Sequence, residues 1–121
     1  MRRTILLLFL FLVAMPLFAD SNVTAITLSH KGGPRGGIPL YADMPQAFYD
    51  VKAQEIIIDG GGAVSYYDVE ISSPVTNNVE ISTTVNGTYD TFDISSLSTG
   101  SHVITIESPS GHIYEGTFTV Y

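Results

Sequence analysis

The sequence contains neither cysteine nor tryptophan among its 121 residues. The absence of cysteine excludes disulfides, thiol catalysis and Cys-ligated zinc, and it excludes the lipidated cysteine of a lipoprotein anchor. Basic residues are few, with five Lys and Arg against twelve Asp and Glu. Because an acidic chain repels nucleic acid phosphates and anionic lipid surfaces, we expect neither as a partner.

The only long apolar run lies near the start. A basic start precedes the run Ile5–Val13, and Ala14–Ala19 closes it with small and turn-forming residues. The run is too short for a membrane span, so we interpret residues 1–19 as a signal peptide and residues 20–121 as one domain. Removing the leader leaves three basic residues against twelve acidic ones, a net charge of −9. We expect a soluble bacterial protein, periplasmic or extracellular, with no membrane insertion after cleavage.

Alternation of apolar and polar residues dominates the rest of the chain and predicts strands. With a turn about every ten residues and no convincing helix, the pattern predicts an all-β fold, an Ig-like antiparallel β-sandwich of seven or eight strands. The predicted strands are marked by Ile26 and Leu28; Ile38 and Leu40; Ile56 and Ile58; Tyr67, Val69 and Ile71; Val79, Ile81 and Val85; Phe92 and Ile94; His102, Ile104 and Ile106; and Tyr114, Phe118 and Val120. The predicted core comprises Ile26, Ile56, Ile58, Val69, Ile71, Val79, Ile81, Phe92, Ile94, Leu97, Ile104, Ile106, Phe118 and Val120.

Glycine and proline mark the turns. Asp59–Gly62 reads as a flexible hairpin turn, and Asn86-Gly87 is the strongest short hairpin signal because both residues tolerate positive φ. Ser72–Asn78 and Pro109–Gly111 are also predicted turns. Met44–Lys52 is ambiguous, since Asp43 could cap a single helical turn there with Gln46 reaching back to it. His30–Gly37 is expected to be a loop or an irregular edge.

No catalytic constellation is visible. His30, His102 and His112 have no second histidine or carboxylate at a ligand-like spacing, so we interpret them as structural, while convergence in space stays open. Two Ser–His pairs adjoin turns, and neighbouring strand residues point to opposite faces, so these pairs do not suit a nucleophile and its base. We therefore expect no enzyme activity, no catalytic residue, no cofactor and no metal ligand.

Carboxylates and aromatic residues offer weaker signals. Asp59, Asp68 and Glu70 lie around the glycine turn and are interpreted as solubilising charge, with a weak calcium site near Asp59 and Asp68 as the alternative. Tyr66 and Tyr41 are candidate ligand contacts, because exposed rings can stack on sugars or bind proteins. Ordinary cross-strand packing is the competing interpretation of these rings.

Two motifs resemble a known family. Pro34-Arg35-Gly36 precedes Ile38-Pro39-Leu40, and the closing stretch runs from Leu97 through Gly100, Ile104, Ile106, Gly111, Tyr114 and Gly116 to Phe118. Together they resemble small exported Bacteroidetes proteins with an Ig-like sandwich, catalogued as a domain of unknown function. The resemblance implies no catalytic residues. The chain departs from it at His102, because such corners usually carry Tyr two residues after the glycine.

These exclusions favour an exported, non-catalytic binding or accessory module that acts through protein–protein contacts, with a cell-envelope protein or a glycan as its unidentified partner. One alternative is a glycan-binding module that uses exposed aromatic residues. The other is a cell-surface sorting domain, because the closing motif also resembles the sorting tails of type IX secretion substrates.

Overall fold

The computed structural model describes residues 22–33 and 44–121, and these residues form nine β-strands and no α-helix. No helix able to span a membrane occurs within these two ranges. The strands are β1 (Val23–Ile26), β2 (Ser29–Gly32), β3 (Gln46–Asp50), β4 (Glu55–Asp59), β5 (Tyr66–Ser72), β6 (Val79–Asn86), β7 (Tyr89–Asp93), β8 (Gly100–Glu107) and β9 (Ile113–Val120).

The strands form two antiparallel sheets. The four-stranded sheet has the order β1-β3-β4-β7, and the five-stranded sheet has the order β2-β9-β8-β5-β6. Among the described strands, the consecutive ones that pair in one sheet are β3–β4, β5–β6 and β8–β9. The all-β sandwich expected from the alternation is therefore confirmed, with two sheets that pack their apolar faces together.

The strand count exceeds the expected seven or eight because two segments behave differently from the prediction. The first predicted strand splits, since β1 pairs with β3 while β2 pairs with β9 in the other sheet. Met44–Lys52 contains no helical turn: β3 alternates strictly, with Ala47 and Tyr49 buried. The predicted strand at Ile38 and Leu40 lies outside the described residues.

Two segments predicted to form hairpins, Asp59–Gly62 and Asn86-Gly87, do not do so, and these two predictions are wrong. Asp59–Gly62 leads from β4 to β5, and Asn86-Gly87 leads from β6 to β7, and in both cases the two strands belong to different sheets. The reason is competition for partners, because β4 has β3 and β7 on its two sides and β5 has β6 and β8. Neither Asn86 nor Gly87 has the positive φ that a type I′ hairpin requires.

Gly87 is instead required by a close approach. A side chain added there would run into the backbone carbonyl of Val64, and one added at Gly60 would meet the carbonyl of Gly87. The two crossovers thus lie against each other. Backbone hydrogen bonds join them, from Gly62 N to Gly87 O (3.1 Å) and from Gly87 N to Ser65 O (3.0 Å).

The core lies between the sheets and confirms most of the predicted core residues. Ile81, Phe92 and Leu97 are only partly buried and pack against it. Val79 is wrongly predicted, since it is 53% exposed at the start of the edge strand β6, beside a register shift opposite Ser72. Other buried side chains include Ala47, Tyr49, Val85, Tyr67, Tyr114, Ser108 and His102, the last on the inward row predicted for it.

Candidate functional site

His102 is a buried histidine held at both ring nitrogens. It follows Gly100 in β8 and lies on the inward row with Ile104 and Ile106. Its Nδ1 is 2.7 Å from Glu80 Oε1, and its Nε2 is 2.8 Å from the carbonyl oxygen of Ser98. The bond to a carbonyl a few residues upstream is the one that a tyrosine corner makes in other sandwiches. Histidine therefore replaces tyrosine at this corner.

This arrangement is structural. Both ring nitrogens lie within hydrogen-bonding distance of an oxygen, so the ring is held on two sides. The side chain is only 3% exposed, and its ring packs 5.7 Å from that of Phe118. Ser101, its neighbour in sequence, is exposed on the other side of the strand. The Ser101-His102 pair is thus not arranged as a nucleophile and its base, as expected from strand geometry.

The other two histidines meet in space. His30 Nε2 lies 3.2 Å from His112 Nδ1, although the residues are 82 positions apart in sequence. Their ring centroids are 5.2 Å apart, and the ring of Tyr114 lies 5.5 Å from that of His30. Sequence spacing alone carried no signal for this pair, because antiparallel pairing of β2 with β9 brings the two together.

Local structure positions both rings of this histidine pair. His30 lies opposite Tyr114 on β9, just before a β-bulge in the edge strand β2. His112 closes the β8–β9 turn, where its backbone N–H donates to Ser108 Oγ at 3.1 Å and its carbonyl accepts from Ser108 N at 2.9 Å. The turn is tight, with Gly111 at φ +95°.

The carboxylates around the Asp59–Gly62 segment accept hydrogen bonds from nearby residues. Asp59 Oδ1 accepts a hydrogen bond from Gly61 N at 3.1 Å, and Asp68 Oδ1 accepts one from Thr84 Oγ1 at 2.9 Å. The two residues belong to different sheets. In residues 22–33 and 44–121 no group of three or more His, Asp or Glu is arranged to hold a metal ion.

The outward side of the five-stranded sheet is rich in negative charge. Asp68, Glu70, Glu107 and Glu115 alternate with buried residues and point away from the core, and we call this surface the acidic face. Asp68 lies directly opposite Glu107 across β5 and β8. Lys31 lies at the β2 edge, with its Nζ 3.6 Å from Glu115 Oε1.

Of the two tyrosines proposed as ligand contacts, one lies within the described residues. Tyr66 begins β5 at one end of the acidic face, opposite Asn86, and is 40% exposed, while its neighbour Tyr67 is fully buried. The alternation expected for this pair is thus confirmed. Tyr41 lies outside the described residues. Tyr89, which was not proposed, is 58% exposed at the start of β7.

Comparison with known proteins finds a likeness in fold. No family model matches the chain, and no curated protein matches it. A solved structure, a DUF3244 family protein with an immunoglobulin-like β-sandwich fold from Bacteroides vulgatus, superposes with a TM-score of 0.63 and 17% sequence identity. The match covers 82% of this chain and 99% of that one. The chain has an immunoglobulin-like β-sandwich fold.

The likeness agrees with the resemblance drawn from the motifs, because the solved protein is an Ig-like domain from a Bacteroides species in a family of unknown function. At 17% identity it establishes the fold of this immunoglobulin-like domain and transfers no residue role. Function must therefore be argued from the domain's own surface.

Proposed function

We propose that this immunoglobulin-like domain is an exported, non-catalytic binding module whose contact surface is the acidic face. The observation that carries the proposal is the concentration of four carboxylates on the acidic face, where Asp68 lies directly opposite Glu107. Like charges in this position destabilise a sheet, and a cation from a partner would relieve the repulsion. We therefore propose a cell-envelope protein with a basic surface as the partner.

Two further features support this choice of surface. Tyr66 places an exposed ring at one end of the acidic face, and aromatic residues of this kind are enriched at the centres of protein interfaces. The strand β6, at the margin of the same sheet, is an edge of eight residues. The surface thus combines an exposed aromatic ring, a concentration of negative charge and the edge strand β6.

The test compares two variants that remove the same number of charges. Asp68→Asn combined with Glu107→Gln neutralises the acidic face. Glu55→Gln combined with Asp93→Asn neutralises a cross-strand pair of carboxylates on the four-stranded sheet. Each protein is used as bait on an envelope fraction of the native host, and bound proteins are quantified by mass spectrometry.

Partners that bind the wild type and the four-stranded-sheet variant, but not the acidic-face variant, would support the proposal. The acidic-face variant should fold at least as stably as the wild type, because neutralisation removes the Asp68–Glu107 repulsion. Loss of binding would then not reflect unfolding. If both variants retain every partner, the acidic face is not the contact surface.

A glycan partner is the second candidate, favoured by the exposure of Tyr66. A glycan array probed with the wild type and with Tyr66→Ala distinguishes the two. Binding that Tyr66→Ala abolishes would favour a glycan module. If no glycan on the array is bound and a basic protein is captured from the envelope fraction, the first proposal is favoured.

Export is proposed from the leader at residues 1–19. N-terminal sequencing of the protein from fractionated cells should find a start at Asp20 or within a few residues of it. Retention of Met1 in a membrane fraction would contradict the proposed cleavage.

A further inference from the structure

We propose that His30 and His112 together bind a divalent first-row transition metal ion such as Cu²⁺ or Zn²⁺. The site is separate from the acidic face, because His30 lies on the inward row of β2 opposite the buried Tyr114. It is distinct from the corner histidine as well, since both nitrogens of His102 are already bonded.

The distance between the two nitrogens fits a shared ion. Imidazole nitrogens bind Zn²⁺ at about 2.0–2.1 Å, and a tetrahedral angle at the ion then places two such nitrogens about 3.3 Å apart. His30 Nε2 and His112 Nδ1 are 3.2 Å apart. Without an ion, one neutral ring donates a hydrogen bond to the other. To bind an ion, the donor ring takes the tautomer that carries its proton on the other nitrogen, so that both facing nitrogens present lone pairs to the ion.

The surrounding backbone holds the rings in this relation. The bulge between His30 and Gly32 sets the direction of His30 at the end of the ladder. The hydrogen bonds between Ser108 and His112 hold the backbone of His112 in place. Gly33 packs against the His112 ring so closely that a side chain there would meet Nδ1. The two ring nitrogens are therefore held next to each other before an ion binds.

The donor atoms determine which ion fits. Two imidazoles favour Cu²⁺, Ni²⁺ and Zn²⁺, whereas Ca²⁺ and Mg²⁺ require oxygen ligands. Within the described part of the chain no carboxylate or third histidine completes a set of three. Both rings are half-buried rather than enclosed, so water fills the remaining coordination positions. The ion adds to a formed domain and is not needed for folding.

The experiment uses protein that carries no polyhistidine tag, titrated with Cu²⁺ alone. We expect one ion bound per chain by calorimetry, and an electron paramagnetic resonance spectrum with hyperfine splitting from two equivalent imidazole nitrogens. Titration with Ca²⁺ should show no binding at the same concentrations.

Three variants decide the assignment. His30→Gln and His112→Gln keep polar side chains of similar size, and each should weaken Cu²⁺ binding by about tenfold or more, because ligand loss costs at least as much as loss of an outer-shell partner. Thr117→Ala, at an exposed outward position of β9, should bind as the wild type does. Circular dichroism and thermal unfolding establish that each variant is folded.

The combined His30→Gln, His112→Gln variant gives the decisive comparison. If it binds Cu²⁺ with the same affinity and the same nitrogen splitting as the wild type, the proposal is overturned and the pair is a hydrogen bond only. If wild-type binding is lost in the combined variant and retained in Thr117→Ala, the site is assigned.

Discussion

At the scale of single residues, the corner at His102 is the most specific polar feature of the domain. A tyrosine at this position would reach the upstream carbonyl with one hydroxyl. Histidine makes the same bond to Ser98 and adds a second one to Glu80 on β6. The corner therefore ties β8 to the edge strand of its own sheet as well as to the loop before it.

We predict that His102→Ala lowers the free energy of unfolding by about 2–4 kcal/mol, because it removes two hydrogen bonds and leaves a cavity beside Phe118. Ser101→Ala, on the exposed side of the same strand, is the control and should change stability by less than about 0.5 kcal/mol. Urea unfolding measures both. Equal effects of the two variants would contradict a structural role for the corner.

A second residue-scale prediction separates buried from exposed apolar positions. Ile104 is fully buried between the sheets, whereas Val79 is 53% exposed. Ile104→Ala should therefore cost about 2–5 kcal/mol of stability. Val79→Ala should cost less than about 1 kcal/mol, because its side chain already contacts water. Similar losses in denaturant unfolding would show that Val79 belongs to the core after all.

At the scale of elements, the crossovers between sheets decide the topology. Five pairs of consecutive described strands lie in different sheets: β1 and β2, β2 and β3, β4 and β5, β6 and β7, and β7 and β8. At the Gly60 and Gly87 crossovers two backbones touch, so glycine is needed there for space rather than for its φ. Gly61 is different, since it has φ +69° and faces open space.

We predict that Gly87→Ala destabilises the domain by about 1–3 kcal/mol, because the added methyl group forces the two crossovers apart. The matched change is Gly61→Asn, which should cost less than about 1 kcal/mol, since asparagine tolerates a left-handed backbone. Thermal unfolding of the two variants provides the comparison. A Gly87→Ala protein as stable as the wild type would show that the contact with Val64 is not tight.

At the scale of the whole molecule, stability rests on the apolar core. The sequence has no cysteine to form a disulfide. Within the described residues, every large fully buried side chain except Ile94, which directly follows β7, comes from a strand. We predict that a chelator leaves the thermal midpoint unchanged and that a panel of hydrolase substrates is not turned over. A large fall in midpoint with chelator would show that a metal holds the fold. Hydrolysis lost on changing His102 or His112 would show an active site.

Much of the fold could be predicted from local pattern. Residues such as Val69, Ile71, Ile104 and Ile106 alternate with polar neighbours, and a period of two places them on one face of a strand wherever the strand lies. Most of the strands, and the turns that join β5 to β6 and β8 to β9, therefore followed from the residues alone. The sheet to which each strand belongs did not, because the same alternation suits either sheet.

The candidate functional residues also divide into those that near neighbours in sequence predict and those that only strand pairing brings together. The alternation of Tyr66 and Tyr67 could be predicted, since it depends on adjacent residues. The meeting of His30 with His112, and of His102 with Glu80, could not be predicted. Each pair joins residues at least 22 positions apart in sequence, and only strand pairing brings them within hydrogen-bonding distance.

The sequence by itself determined the absence of disulfides, the excess of negative charge and the period that makes strands, because these depend on composition and near neighbours. The tertiary structure alone decided which turns became crossovers, which histidines became partners and which carboxylates came to face each other. Those outcomes depend on how the strands compete for neighbours in two sheets. That competition is decided by burying all the apolar faces together, and no local segment contains that information.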